Sequence, residues 1–198
     1  MNIVFDLGGV VFTWNPQKLV SNVFEDKLAQ RKVMDEIIGQ EEWVELDRGT
    51  IERSAAIENI VDRTGLSKPK IKELMVKAPS YLQPISETIK LIQTLKEKGN
   101  KLFILSNMHP ASIEYLEENN SFWNLFDGQI ISCRIKMVKP EVQIYEYLLE
   151  EYKLSANETI FIDDTEINLV TANELGIRTI KYLNTSQCES ELKEYGCI

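Results

Sequence analysis

Short apolar runs alternate with longer amphipathic stretches along much of this chain. Ile3-Val4-Phe5, Lys101-Leu102-Phe103-Ile104-Leu105, Thr159-Ile160-Phe161-Ile162 and Arg178-Thr179-Ile180 are short and rich in apolar or β-branched residues. That is the pattern of strands buried on both faces. Gln129-Ile130-Ile131 is a weaker fifth run. Between the runs, Ile85, Ile89, Ile92 and Leu95 recur at helical spacing, and Gly99 stands where a helix stops. Pro110 is placed to open a helix bearing Ile113 and Leu116, and Pro140 another bearing Val142, Tyr145, Leu148 and Tyr152. After Asp164, the residues Ile167, Val170 and Leu175 lead to Gly176. Strands alternating with helices predict an α/β fold, a three-layer Rossmann-like core whose parallel sheet carries helices on both faces.

From about Pro16 to Pro84 the rhythm breaks. The segment holds no convincing strand, only helical patterns: Leu19, Val23 and Phe24, then Ile51, Ile57, Ile60 and Val61, then Ile71, Leu74 and Met75. The organisation expected is a core of residues 1–15 and 85–198 with a small α-helical cap, 16–84, inserted between them. The end of the chain, Ser186 to Ile198, reads as a polar tail with a small apolar anchor.

Composition narrows the function classes. The 198 residues carry a formal net charge of -9, which argues against nucleic acid as a partner, because phosphate backbones are held by a surplus of Lys and Arg. No window approaches the ~20 apolar residues of a membrane span, and the N-terminus has no basic segment followed by an apolar one. The three cysteines, Cys133, Cys188 and Cys197, follow no zinc or disulfide spacing. Free thiols in a reducing cytoplasm are expected, in a monomer or homodimer.

In open parallel sheets ligands bind beyond the carboxyl ends of the strands. Asp6-Leu7-Gly8-Gly9 follows the first run, Ser106-Asn107 the second and Asp163-Asp164 the fourth, with Lys139-Pro140 near the third. Three carboxylates, a hydroxyl, an amide and an ammonium should therefore gather at one edge. Crowded carboxylates repel one another, and their hard oxygens suit Mg²⁺. With a phosphate dianion the formal charge there is roughly -5, reduced to roughly -2 by Mg²⁺ and Lys139. Gly8 and Gly9 allow a sharp turn and a close backbone approach. The dinucleotide and Walker fingerprints are both absent. So is a Gly-x-Ser-x-Gly elbow, and His109 is the only histidine.

In this order the motifs resemble those of the haloacid dehalogenase-like hydrolase superfamily. They are Ile3-Val4-Phe5-Asp6-Leu7-Gly8-Gly9-Val10-Val11, Leu105-Ser106-Asn107, Val138-Lys139-Pro140 and Phe161-Ile162-Asp163-Asp164 with Asn168 further on. The resemblance runs over nearly the whole chain, and the insert looks like that family's small helical cap. In wording, Phe5-Asp6-Leu7-Gly8 and Asp47-Arg48-Gly49 look closest to the bacterial α-D-glucose-1-phosphate phosphatase-like branch. The resemblance implies a Mg²⁺-dependent phosphatase of a small phosphorylated metabolite such as a sugar phosphate. Asp6 would attack phosphorus and form an aspartyl phosphate. An Asp6 oxygen, the Gly8 carbonyl and Asp164 would hold the metal, with Asp163 in or next to its shell. Ser106, Asn107 and Lys139 would hold the phosphoryl oxygens, and Trp43 and His109 would face the substrate.

One position departs from the pattern. The family's phosphatases usually carry a second aspartate two residues after the nucleophile, as general acid and base, and here that residue is Gly8. Such assistance is typically worth about 10²–10⁴-fold. Either the substrate has an easy leaving group, or the cap supplies the acid from Glu45, Asp47 or His109. Two other readings stay open. One is a dehalogenase, which uses the same aspartate on carbon without metal, and against which the Asp163-Asp164 pair speaks. The other is a ligand-binding member that has lost turnover.

Overall fold

The computed structural model describes residues 1–198. Five strands form one sheet: β1 (Asn2–Phe5), β2 (Lys101–Ser106), β3 (Gly128–Ile131), β4 (Thr159–Asp163) and β5 (Arg178–Lys181). The order is β3-β2-β1-β4-β5 and every pair is parallel. The predicted α/β architecture is thus present, down to the weak third strand. Strand β1 lies at the centre, Phe5 standing level with Ile104 of β2 and Ile162 of β4.

Side chains alternate across the sheet with period two. Ile3, Phe5, Leu102, Ile104, Ile160 and Ile162 face one apolar layer, while Val4, Phe103, Leu105 and Phe161 face the other. The first layer is closed by α6 (Ser86–Glu97), α7 (Pro110–Asn119) and α11 (Thr185–Glu194). The second is closed by α9 (Val142–Glu151) and α10 (Glu166–Glu174). A short helix, α8 (Ser132–Ile135), follows β3.

Between β1 and α6 lie five helices: α1 (Pro16–Ser21), α2 (Lys27–Glu36), α3 (Glu41–Arg48), α4 (Arg53–Thr64) and α5 (Lys68–Lys77). They bury a separate apolar cluster of 15 residues, from Leu19 to Ala78, with Trp43 and Leu46 of α3 in it. The chain leaves and re-enters the sheet layer at one place: Thr13 N–H donates to the Gln83 carbonyl at 2.8 Å and Ile85 N–H to Val11 at 2.9 Å.

Three details differ from the sequence pattern. On α10, Ile167 and Val170 are exposed, whereas Asn168, Leu169, Thr171 and Ala172 are the buried residues. The inward face is set by Asn168, whose amide is needed beneath the sheet edge, and not by the largest side chains. On α9 the helix starts at Val142, two residues after Pro140, and Val142 is exposed while Ile144, Tyr145 and Leu148 are buried. The C-terminal segment is a docked helix and not a tail, since Cys188 and Leu192 of α11 are fully buried. All three cysteines are free and buried, and no helix is long and apolar enough to cross a membrane.

Candidate active site

Because β1, β2 and β4 are parallel neighbours, the residues at or just past their ends emerge side by side. Asp6 continues β1, its N–H donating to the Ile162 carbonyl at 2.9 Å. Asp163 ends β4, and Ser106 ends β2. Lys139 comes in from the loop before α9 and is buried. Its Nζ lies 3.0 Å from Asp6 Oδ1 and 2.7 Å from Asp163 Oδ2. One ammonium therefore bridges two buried carboxylates, which would both be left uncompensated if Lys139 were removed.

Both oxygens of Asp163 are hydrogen-bonded. Its oxygens accept from Lys139, from Thr165 N–H at 2.7 Å and from the Asn168 amide at 3.0 and 3.2 Å. Asp6 Oδ1 accepts from Leu7 N–H at 2.7 Å. Asp164, by contrast, is exposed. Oxygens of Asp6, Asp163 and Asp164 come within 4.8 Å of one another. Gly9, at φ +79, makes this possible: a Cβ there would stand 2.3 Å from Asp164 Oδ2. Burial pushes Asp6 up to about 7, Asp163 adds to the rise, and Lys139 opposes it. Asp164, open to the cleft but partly desolvated by its walls, is raised by that desolvation and by Asp163. Lys139 would be lowered by burial alone, but Asp163 and Asp6 outweigh this and raise it. Two carboxylates held above their ordinary range beside a third are a donor set that fits a hard divalent cation.

The Asn107 side chain is committed elsewhere. It donates to the Lys139 carbonyl at 2.9 Å and accepts from the Lys139 N–H at 2.8 Å, so it fixes the loop that delivers the ammonium. Ser106 is fully buried beside Asp6. Lys136 is elsewhere, donating to the Gly49 carbonyl.

A cleft of about 350 Å³ opens above this edge. Asp6, Gly8, Asn107, Lys139 and Asp164 line its floor, whereas Ser106 and Asp163 lie behind it. The helical insert and the loop before α7 form the wall, with Trp14, Ile38, Trp43, Val44 and Met108. The rings of Trp43 and His109 pack with centroids 4.6 Å apart. His109 Nε2 is buried, lies 3.2 Å from Asp47 Oδ1 and has no hydrogen-bond partner. The other side of the imidazole engages the Trp43 backbone. Burial lowers His109 to about 4, while burial and then the nearby Asp6 charge hold Asp47 well above the carboxylate range. Both shifts disfavour charge on the pair. Glu45 points away, to Arg48 at 3.1 Å and to Thr50.

The family model described as haloacid dehalogenase-like hydrolase matches residues 3–182. The chain belongs to this family. It is 30 % identical to a sesquiterpene phosphatase of Aspergillus oryzae, over 98 % of this chain and 96 % of that one. A D-ribitol-5-phosphate phosphatase of Bacteroides thetaiotaomicron is 24 % identical, with 96 % of each chain covered. A family enzyme from the same bacterium, solved with magnesium and inorganic phosphate, superposes with a TM-score of 0.72 at 26 % identity, covering 90 % of this chain and 92 % of that one.

Sequence reasoning found Asp6, Lys139 and the acidic pair because each directly follows a strand or precedes a helix. It gave no place to Gly9 against Asp164, to Ser132 beneath the insert, or to Glu141 as a partner of Arg48. Only the glycine left a local signal, as the second of a tandem.

Proposed function

We propose that this hydrolase is a Mg²⁺-assisted phosphomonoesterase that attacks phosphorus with Asp6. The observation that carries this is the buried Lys139 ammonium, which joins Asp6 to Asp163 under an open cleft. An Asp6 oxygen, the Gly8 carbonyl and Asp164 would hold the cation, while Asp163 anchors Lys139 and orients the loop below. When bound, the cation would neutralise the carboxylates and the incoming phosphoryl group. The free Asp6 oxygen would displace the ester oxygen and form an aspartyl phosphate, which water then opens. Lys139 would face the phosphoryl oxygens, where charge is stabilised as it shifts, with Ser106 behind it beside Asp6. Residues 1–15 and 85–198 would serve as the hydrolytic core, and 16–84 as the cap that carries the substrate-facing wall.

That wall favours one kind of ester. Trp14, Ile38, Trp43, Val44 and Met108 offer apolar surface to whatever the phosphate is attached to, so a monophosphate with an apolar or aromatic body fits better than a bare sugar phosphate. Similarity to a sesquiterpene phosphatase supports this. The free cysteines support a reducing cytoplasmic setting. A dehalogenase working without metal would have no use for the Asp164 carboxylate beside Asp6, and a pure binder none for an attacking carboxylate. Phosphate release from a panel of sugar, aryl and prenyl monophosphates, with and without Mg²⁺, tests the reading. Activity that survived Asp6→Asn would overturn it.

A further inference from the structure

Ester hydrolysis at this site leaves one group without a source: the proton taken up by the departing oxygen. Gly8 offers none, although the space around it is open, since a Cβ there meets nothing within 4 Å. Across the same cleft stand Asp47, on α3 of the insert, and His109. The Asp47 side chain is 16 % exposed and that of His109 11 %.

The stretch bearing Asp47 is fastened to the core on both sides. The buried Ser132 hydroxyl donates to the Asp47 carbonyl at 2.5 Å and accepts from Met108 N–H at 2.9 Å. One hydroxyl thus fixes the residue with the carboxyl and the neighbour of the imidazole. The next residue, Arg48, forks onto Glu141 through two contacts of 2.8 Å. Lys136 holds the Gly49 carbonyl, and a Cβ on Gly49 would come within 2.7 Å of the Cys133 carbonyl. The end of α3 therefore lies flush against the core. A carboxyl placed this way, 3.2 Å from a buried imidazole nitrogen that has no hydrogen-bond partner, is not a solvated surface charge.

The geometry points to Asp47 as the general acid and base of the reaction, with His109 as the positioning residue that keeps its proton in place. The inference rests on the phosphatase reading above. In the first step Asp6 attacks phosphorus, the bond from phosphorus to the ester oxygen breaks, and that oxygen takes the proton of Asp47. The alcohol leaves, and an aspartyl phosphate and an Asp47 carboxylate remain. In the second step that carboxylate takes a proton from water as the water oxygen attacks phosphorus. Inorganic phosphate departs, and Asp6 and protonated Asp47 are restored. The acid absent beside the nucleophile is thus supplied from the opposite wall, and only while α3 stays latched to the core.

The test compares turnover of phenethyl phosphate, whose alcohol needs a proton to leave, with that of p-nitrophenyl phosphate, whose phenolate does not. Asp47→Asn should lower the ratio of the two rates about 10²–10⁴-fold, the usual span of acid assistance. His109→Ala should lower it about 10-fold, with partial recovery in His109→Gln, whose amide oxygen can still accept from the carboxyl. Gly8→Asp, added to Asp47→Asn, should raise the ratio again, because the space beside Gly8 is open. A purely structural Asp47 would slow both esters alike, and an unchanged ratio would overturn the assignment. Should Asp47→Asn fail to fold, the wild-type enzyme decides: its rate should depend only weakly on leaving-group pKa, and a steep dependence would exclude an acid. Loss of Asp6-dependent p-nitrophenyl phosphate hydrolysis in the wild type would instead remove the phosphatase reading itself.

Discussion

The floor of the cleft and its wall place their carboxylates by different means. On the floor, Asp6 and Asp163 sit at strand ends one lattice position apart, so the parallel register brings them together. Each is satisfied by near neighbours: Leu7 N–H for Asp6, Thr165 N–H and Asn168 for Asp163. On the wall, Asp47 and His109 come from elements 62 positions apart, and their meeting depends on Ser132, Arg48–Glu141 and Lys136–Gly49. A strand end is positioned by backbone hydrogen bonds that form whatever the side chains are. A residue of the helical insert is positioned by side chains, each of which can be lost by one substitution. The floor is therefore robust in geometry and costly in buried charge, and the wall is the reverse.

Substitutions can break this contrast at each level. The largest effect is expected from Asp6→Asn, which removes the attacking oxygen and should lower phosphate release by on the order of 10⁴-fold or more. Circular dichroism should show the fold intact. Next, Lys139→Met leaves Asp6 and Asp163 buried without their shared cation. It should cost about 3–5 kcal/mol in urea denaturation, and activity with it. Gly9→Ala forces a side chain into the place of the Asp164 carboxylate at a positive φ. A loss of about 2 kcal/mol is expected, together with weaker Mg²⁺ binding by calorimetry. Gly8→Ala, facing open space, should change stability by less than about 1 kcal/mol.

On the wall, pH separates His109 from its surroundings. Its pKa is lowered from an ordinary 6.5 to about 4 in the fold, so the unfolded chain binds more protons between those values. The stability it contributes is complete above about 6.5 and is lost as pH falls towards 4. Going from pH 7.5 to 5.5 should cost the wild type about 1.3 kcal/mol more than His109→Gln. Equal pH dependence of the two melting curves would show that the imidazole is not held neutral. The smallest effect is Arg48→Ala. The Arg48 and Glu141 side chains are 21 % and 39 % exposed, so breaking their pair should cost no more than about 1 kcal/mol. Its larger consequence should be a raised KM as α3 loosens.

Much of the floor could be read from order along the chain. Asp6, Ser106 and Asp163 each end an apolar run, and a parallel sheet has only one edge where such ends meet. The five runs were long and β-branched enough to give the sheet, including the weak Gly128–Ile131 strand that completes it. Helix faces were less legible. The exposed Ile167 and Val170 look like core residues, but Asn168 has to turn inward to hold Asp163, and the helix follows it. The C-terminal helix leaves little periodic signal because only one cysteine and one leucine, Cys188 and Leu192, form its buried face.

The sequence by itself determined which chemistry-bearing residues would share the carboxyl edge, since strand ends inherit their place from backbone pairing. It also showed that Gly8 brings no acid. The tertiary structure alone decided which other residue faces that gap. Asp47 and His109 have no common period, strand or motif, and they meet only because one buried hydroxyl and one Arg–Glu pair press a distant helix onto the core. It decided, too, that Asp163 serves Lys139 while Asp164 stays open. Two adjacent aspartates look alike in sequence, and the hydrogen bonds that saturate one of them come from Lys139, Asn168 and a turn that exist only in the fold.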